Sequence, residues 1–140
     1  MKLGFELDHI GVAVESLESG KSVYETLGLG PMRTERVESE KVHVGFFDLD
    51  NGARIELLEA TGPESPIARF LDQRGPGIHH ICLKVKDIRS VMRALKEQGI
   101  RLINEEPRPG AHDCLVAFIH PKSTGGVLIE LSQPQEEAVR

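Results

Sequence analysis

The chain has 140 residues and a net charge of −5, with 39% hydrophobic and 28% charged residues. This length corresponds to one globular domain, and the composition is ordinary for a soluble protein. We expect neither a membrane nor a nucleic acid as partner, because no apolar run approaches the roughly 20 residues of a membrane span and no basic stripe is present. The first residues lack the apolar core of a signal peptide, and Cys82 and Cys114 are not spaced as a disulfide framework. These features favour a cytoplasmic protein with reduced cysteines.

The first half of the chain has the pattern of one strand, one helix and three strands. Apolar residues alternate in Leu7–Val14, which is typical of a strand, and a helix is predicted over Leu17–Leu27. Asp50-Asn51-Gly52 has the composition of a hairpin turn between the last two strands. The three strands are predicted at Met32–Val37, Val42–Leu49 and Arg54–Glu59.

The second half repeats this order after a connector at 61–76, which includes a short predicted helix at Ile67–Gln73. A strand at Ile78–Val85 then precedes an amphipathic helix at Ile88–Gln98. The remaining strands are predicted at Arg101–Asn104, Leu115–His120 and Val127–Ser132.

Each half carries one histidine and one glutamate at matching places. His80 follows His9 by 71 positions, and Glu130 follows Glu56 by 74 positions. All four residues lie in strand-like apolar runs. The repeat divides a single domain, 1–140, into two modules at about 5–60 and 77–133, each of them small for an independent core.

The position of these residues within their strands indicates a metal site. Because successive side chains of a strand point to opposite faces, Glu130 points away from the face shared by Ile129 and Leu131. We expect helices to cover the apolar face of each module and the four polar residues to meet on the other. Carboxylates on an inner face are costly unless they are ligated or paired. Imidazoles and carboxylates together suit Fe, Co, Ni, Zn or Mn, so a divalent ion with two open positions is predicted at His9, Glu56, His80 and Glu130.

The other histidines are weaker candidates. His43 is placed within reach of this site and is a candidate catalytic residue. His79 faces away from His80 and is expected to be structural. His112 and His120 flank loops and are candidates for substrate contact.

The paired modules and the repeated His and Glu resemble the vicinal-oxygen-chelate superfamily, which includes glyoxalase I and the extradiol dioxygenases. Within it, the sequence is most similar to the methylmalonyl-CoA epimerase family. The resemblance implies an α+β fold, in which two tandem βαβββ modules form a curved, incomplete, eight-stranded barrel-like sheet with helices outside. It extends from about Leu7 to Gln133, and the stretches that carry it are Leu7–Val14, Ser65–Leu71, Gly77–Ile81 and His120–Leu131.

The resemblance implies an isomerase that interconverts (R)- and (S)-methylmalonyl-CoA with a divalent metal ion, often Co²⁺, with Zn²⁺, Ni²⁺ or Mn²⁺ as alternatives. Removal of the C2 proton would give an enolate, and protonation on the opposite face would complete the epimerisation. Glu130 is expected to be one acid-base group, and Glu56, His43 or a bound water its partner. Some members have a carboxylate, proposed as a base, at the position of His43. The family's metal ligands fall on His9, Glu56, His80 and Glu130.

The resemblance also implies a homodimer that binds an acyl-CoA, and it leaves alternatives open. A glyoxalase I-like lactoylglutathione lyase would use the same metal ligands, and Glu56 is closer to its pattern, since the epimerase family sometimes has Gln there. The third interpretation is a non-catalytic small-molecule-binding protein of the same fold. The sequence does not identify the groups that hold the CoA phosphates, for which Arg108 and Lys122 are loop candidates.

Overall fold

The structure is a computed structural model that describes residues 4–135. The described chain divides into two compact units. The first unit contains His9–His79, and the second contains residues 4–8 and 80–135. In this described part, no helix has the length and apolar character that crossing a membrane requires.

The first unit has the predicted order of one strand, a helical segment and three strands. Its first strand, β1 (Glu6–Ala13), belongs to this unit from His9 onward. The other elements are α1 (Leu17–Gly20), α2 (Ser22–Thr26), β2 (Arg33–Val37), β3 (Val42–Asp48), β4 (Arg54–Ala60) and α3 (Pro66–Arg74). The strand order is β2-β3-β4-β1, with β1 and β4 parallel and the other neighbours antiparallel.

One face of this sheet is apolar and packs against the helical segment. Phe47 of β3 and Leu57 of β4 are almost fully buried, and they form a core with Leu17 of α1 and with Val14. Burying a side chain of this size contributes about 1.5–3 kcal/mol. Because side chains alternate along β4, the burial of Leu57 on this face directs Glu56 to the other face.

The second unit repeats the arrangement. Strand β5 (Gly77–Lys84) belongs to it from His80 onward. The remaining elements are α4 (Ile88–Glu97), β6 (Arg108–Gly110), β7 (Cys114–Ile119) and β8 (Ile129–Pro134). The strand order is β5-β8-β7-β6, with β5 and β8 parallel and the other neighbours antiparallel.

Helix α4 covers the apolar face of this unit. Asp87 caps its N-terminus, since the Asp87 side chain accepts a hydrogen bond from the backbone N–H of Ser90. Its buried residues Ile88 and Val91 pack in one cluster with Leu131 of β8. Glu130 is the neighbour of Leu131 and points to the other face, as Glu56 does in the first unit.

The predicted α+β class with two β-α-β-β-β modules is confirmed, and two predicted elements differ. The helix predicted over Leu17–Leu27 is divided at Lys21 into α1 and α2. The strand predicted at Arg101–Asn104 is wrong, since that segment forms only an isolated bridge from Leu102 to Ile119. In this segment, the backbone N–H of Phe118 donates a hydrogen bond to the side-chain Oδ1 of Asn104. In a regular strand the acceptor would be a backbone carbonyl. The strand that pairs with β7 on the side away from β8 is β6, in a segment predicted to be a loop.

Candidate metal centre

A histidine and a glutamate meet on one face of the first unit. Strands β1 and β4 run parallel with Gly11 opposite Glu56. Since His9 precedes Gly11 by two residues, its side chain points to the same face as Glu56. His9 Nδ1 lies 3.4 Å from Glu56 Oε2, and the two residues are only 5% and 2% exposed.

The second unit builds the same pair from the same register. Strands β5 and β8 run parallel with Cys82 opposite Glu130, and His80 precedes Cys82 by two residues. His80 Nε2 lies 2.9 Å from Glu130 Oε1, and the two residues are 6% and 9% exposed. The sequence repeat therefore corresponds to a structural repeat of two buried His-Glu pairs.

Each glutamate has a phenylalanine as its partner on the antiparallel neighbouring strand. Phe46 of β3 lies opposite Glu56, and Phe118 of β7 lies opposite Glu130. The ring of Phe118 meets the imidazole of His80 edge to face, with the ring centroids 6.2 Å apart. These aromatic residues were not predicted as part of the site. Their spacing of 72 positions, between the spacings of the histidines and of the glutamates, is the signal in the sequence that identifies them.

Arg54 is a further residue of the site that the sequence did not suggest. It lies two residues before Glu56 on the same face of β4. Its Nε donates a hydrogen bond of 3.0 Å to Glu56 Oε2, the same oxygen that faces His9. A buried carboxylate therefore has both an imidazole and a guanidinium beside one of its oxygens.

The donor atoms of both pairs fit a divalent metal ion. Ligand atoms about 2.1 Å from an ion lie about 3.0 Å apart at a right angle and about 3.4 Å apart at the tetrahedral angle. The separations of 2.9 Å and 3.4 Å within the pairs agree with these values. Imidazole and carboxylate donors together suit Fe, Co, Ni, Zn or Mn. Each unit thus presents two side chains that can serve as adjacent ligands of such an ion.

His43 lies on the other face of the first unit's sheet. It is half-buried in β3, where its register partner is Glu59. Glu59 Oε1 accepts a hydrogen bond from the backbone N–H of Leu17, at the start of α1. The register therefore places His43 on the helix-covered face, whereas Glu56 and His9 occupy the opposite one.

Comparison with known proteins places this geometry in a family. A sequence model of the Glyoxalase/Bleomycin resistance protein/Dioxygenase superfamily matches residues 8–118. The chain belongs to this superfamily. Its predicted fold class, that of the vicinal-oxygen-chelate proteins, is confirmed by the solved structures that it matches.

Several similar members of the superfamily are named as methylmalonyl-CoA epimerases. The ethylmalonyl-CoA/methylmalonyl-CoA epimerase of Cereibacter sphaeroides is 42% identical over 130 residues, which cover 91% of this chain and 96% of that protein. The crystal structure of the methylmalonyl-CoA epimerase from Mycobacterium tuberculosis is 37% identical, with a TM-score of 0.88 over 94% of this chain and 89% of that one. A methylmalonyl-CoA epimerase in complex with methylmalonyl-CoA and NH₄⁺ is 31% identical, with a TM-score of 0.87 over 99% of both chains.

The remaining histidines of this superfamily member have local structural contacts. The ring of His79 meets that of Phe70 edge-on, with centroids 5.0 Å apart, as expected for a structural residue. His112 is half-buried and has a left-handed backbone conformation, with φ of 59°. Nδ1 of His120 accepts a hydrogen bond from the backbone N–H of Lys122 at the start of a turn. Contact of His112 or His120 with a substrate stays a prediction.

The two cations suggested for phosphate binding are both exposed. Lys122 lies in the 3₁₀ turn Pro121–Ser123. Arg108 was predicted in a loop but lies at the start of β6, an edge strand of the second unit. Their contact with CoA also stays a prediction.

Proposed function

We propose that this protein is a methylmalonyl-CoA epimerase, which interconverts the (R) and (S) epimers at C2 of methylmalonyl-CoA. The observation that carries the proposal is the buried His-Glu pair built in the same register in each unit. It occurs in a chain that is about 40% identical to named epimerases over most of its length. The solved relative that contains methylmalonyl-CoA supports the same class of substrate, an acyl-CoA.

The proposal includes one metal ion held by His9, Glu56, His80 and Glu130. The superfamily typically binds a divalent metal, and the separations of donor atoms within each pair support this ligand set. We propose Co²⁺ as the ion, with Zn²⁺, Ni²⁺ and Mn²⁺ as the alternatives that the same donors accept. When bound, such an ion acts as a Lewis acid that stabilises negative charge developing on substrate oxygens.

The side chains of the site supply the proton transfer. Epimerisation needs removal of the C2 proton on one face and return of a proton on the other, with an enolate between the two steps. An acid-base group must lie within hydrogen-bond reach of that proton. We propose Glu130 as one group and Glu56 as its partner, because they are the equivalent carboxylates of the repeat. His43 is the third candidate, and its position on the helix-covered face favours the two carboxylates over it.

Three further features are part of the proposal. We expect a homodimer, as the family resemblance implies, and a cytoplasmic location. Neither Cys82 nor Cys114 forms a disulfide within residues 4–135, which is compatible with a reducing compartment. Exposed cations such as Arg108 and Lys122 are the candidates for contact with the CoA phosphates.

Hydrogen exchange at C2 tests the proposed function. The protein is stripped of metal, reloaded with Co²⁺, and incubated in D₂O with methylmalonyl-CoA and, in parallel, with the methylglyoxal-glutathione hemithioacetal. We expect deuterium incorporation together with epimerisation that depends on the added metal, and no turnover of the hemithioacetal. Turnover of the hemithioacetal alone would assign the protein to the glyoxalase I-like branch. Inactivity toward both substrates, with one ion bound per chain, would favour a non-catalytic binding protein.

A further inference from the structure

The two His-Glu pairs differ in the residue that lies two positions before the glutamate. In the first unit, Arg54 Nε donates to Glu56 Oε2 over 3.0 Å, and the side chains of Arg54 and Glu56 are only 17% and 3% exposed. Oε2 is also the oxygen that lies 3.4 Å from His9 Nδ1. The guanidinium therefore holds the carboxylate by the atom that faces the neighbouring candidate ligand.

The repeat does not reproduce this contact in the second unit. The residue two positions before Glu130, where Arg54 would have its equivalent, is Leu128. A leucine side chain has no hydrogen-bond donor. The position two residues before the glutamate thus carries a guanidinium in the first unit and an apolar side chain in the second.

We propose that Arg54 is a positioning residue that orients Glu56 toward the metal ion; this inference rests on the proposed metal site. The Arg54 guanidinium compensates part of the charge of a carboxylate that is costly to bury alone. Its hydrogen bond also removes rotational freedom from Glu56 before the ion arrives. Partners of this kind orient the ligands that they contact, and their loss typically lowers metal affinity about 10–100-fold.

The alternative role of Arg54 gives the opposite result. If the guanidinium served only to neutralise Glu56, it would compete with a metal cation for Oε2. Removing it would then leave metal affinity unchanged or increase it. The direction of the change in affinity therefore separates positioning from competition.

Metal titration of the purified full-length protein tests the inference. Binding of Co²⁺ and of Zn²⁺ is measured by competition with a chromophoric chelator for the wild type, Arg54→Met, Arg54→Lys and the matched control Arg33→Met. Arg33 is an exposed arginine of the same unit, and its register partner Phe46 places it on the same face as Glu56. Its guanidinium lies over the Phe46 ring and forms an ion pair with Asp48, so this control removes a guanidinium near the site that contacts an aromatic ring and an exposed carboxylate. We expect affinity to fall about 10–100-fold in Arg54→Met, to fall less in Arg54→Lys, and to be unchanged in Arg33→Met.

The visible spectrum of the Co²⁺ protein gives a second readout, since its band positions and intensities depend on the ligands and their geometry. We expect a changed spectrum in Arg54→Met and Arg54→Lys but not in Arg33→Met. A thermal melt of each metal-free variant controls for folding. If Arg54→Met does not fold, the affinity and the spectrum of Arg54→Lys decide the question alone.

The outcomes distinguish this inference from the proposed function. Equal or tighter binding by Arg54→Met, with an unchanged Co²⁺ spectrum, would overturn the role of Arg54 and leave the metal site intact. A wild type that binds less than one ion per chain would overturn the metal site and, with it, the role of Arg54.

Discussion

The rings of Phe118 and His80 meet edge to face, with their centroids 6.2 Å apart. Phe118 lies in β7 and His80 in β5, the two strands that flank β8. Phe118 is also the register partner of Glu130. One aromatic side chain thus contacts the imidazole and lies opposite the carboxylate of the same pair. Its ring restricts the orientations open to His80, so we expect it to contribute both to stability and to metal binding.

The substitution Phe118→Leu measures this contribution. An aromatic pair of this geometry is worth about 0.5–1.5 kcal/mol, so we expect the free energy of unfolding in urea to fall by about 1 kcal/mol. We also expect metal affinity to fall about tenfold, as for other groups that orient a ligand. The matched control is Phe70→Leu, which removes the equivalent contact with His79. Similar metal affinities in the two variants would contradict the role of Phe118 in orienting His80.

The faces of the strands could be predicted from the sequence, because a period of two residues needs only local information. Burial of Leu57 and Leu131 directs the adjacent Glu56 and Glu130 to the other face, whichever strands pair with them. The repeat of His9 as His80 and of Glu56 as Glu130 predicted the second His-Glu pair. These features depend on alternation and on the repeat, and both are read directly from the residues.

The register between strands could not be predicted in this way. The pairing of Gly11 with Glu56 joins residues that are far apart in the chain, and no short motif encodes it. The same information was missing for His43. The register of β3 with β4 pairs Phe46 with Glu56 and His43 with Glu59, and this pairing places His43 on the helix-covered face. Arg54 was missed because its role depends on a side-chain contact, and an arginine that begins a strand is usually solvent-exposed.

The position of β6 was predicted wrongly for a different physical reason. The segment Arg101–Asn104 has apolar residues suited to a strand. However, the backbone N–H of Phe118 donates its hydrogen bond to the Asn104 side chain and not to a backbone carbonyl, so the regular strand pairing stops there. Arg108–Gly110 contains proline and glycine, which local propensity assigns to a loop. Pro109 is compatible with an edge strand, which is the position that β6 occupies.

We expect acid to reduce the stability that Asp87 gives to the N-terminus of α4. The hydroxyl of Ser90 and then its backbone N–H donate hydrogen bonds to this carboxylate, and they hold the pKa of Asp87 below its ordinary value of 3.8. A carboxylate with a lowered pKa in the folded state binds protons more readily when unfolded. Its stabilising contribution is therefore complete above the ordinary pKa and is lost as the pH falls through the lower folded pKa.

Variants at Asp87 isolate this effect from the rest of the protein. Asp87→Asn keeps a good helix cap that does not titrate, and Asp87→Ala removes the cap. We expect thermal melts near pH 7 to give a lower Tm for Asp87→Ala than for the wild type. The difference should narrow as the pH falls below about 4, because the wild type loses its ionised cap. A constant difference between the wild type and Asp87→Asn over this range would show that Asp87 does not contribute to the acid response.

His43→Ala tests the third candidate for proton transfer. Because His43 shares a face with Glu59 and not with Glu56, we expect the rate of epimerisation to stay within a few-fold of wild type. A general acid-base group would instead contribute about 10²–10⁴-fold. The rate is measured on enzyme loaded with Co²⁺, with bound metal quantified in the same samples. A loss of more than 100-fold with full metal content would assign the second proton transfer to His43.

Glutamine substitutions separate the two carboxylates as acid-base groups. Glu130→Gln and Glu56→Gln each keep an amide oxygen that can serve as a metal ligand, but neither amide can take up the C2 proton. We expect Glu130→Gln to lose about 10²–10⁴-fold in epimerisation. An equal loss in Glu56→Gln would identify Glu56 as the second acid-base group, whereas a much smaller loss would agree with the Gln that the epimerase family sometimes has at this position. Exchange of the C2 hydrogen with D₂O should persist for one epimer only, and the epimer should differ between the two variants.

This pattern follows from the two-face mechanism, since each remaining carboxylate can still remove and return a proton on its own face. The measurement is mass spectrometry of deuterium incorporation, started separately from each pure epimer, with bound metal quantified. Arg33→Met serves again as a control that alters charge on the same face without removing a carboxylate. Loss of exchange from the same epimer in both glutamine variants would contradict the assignment of the two groups to opposite faces. Full epimerisation by Glu56→Gln would leave Glu130 as an acid-base group and remove Glu56 from that role.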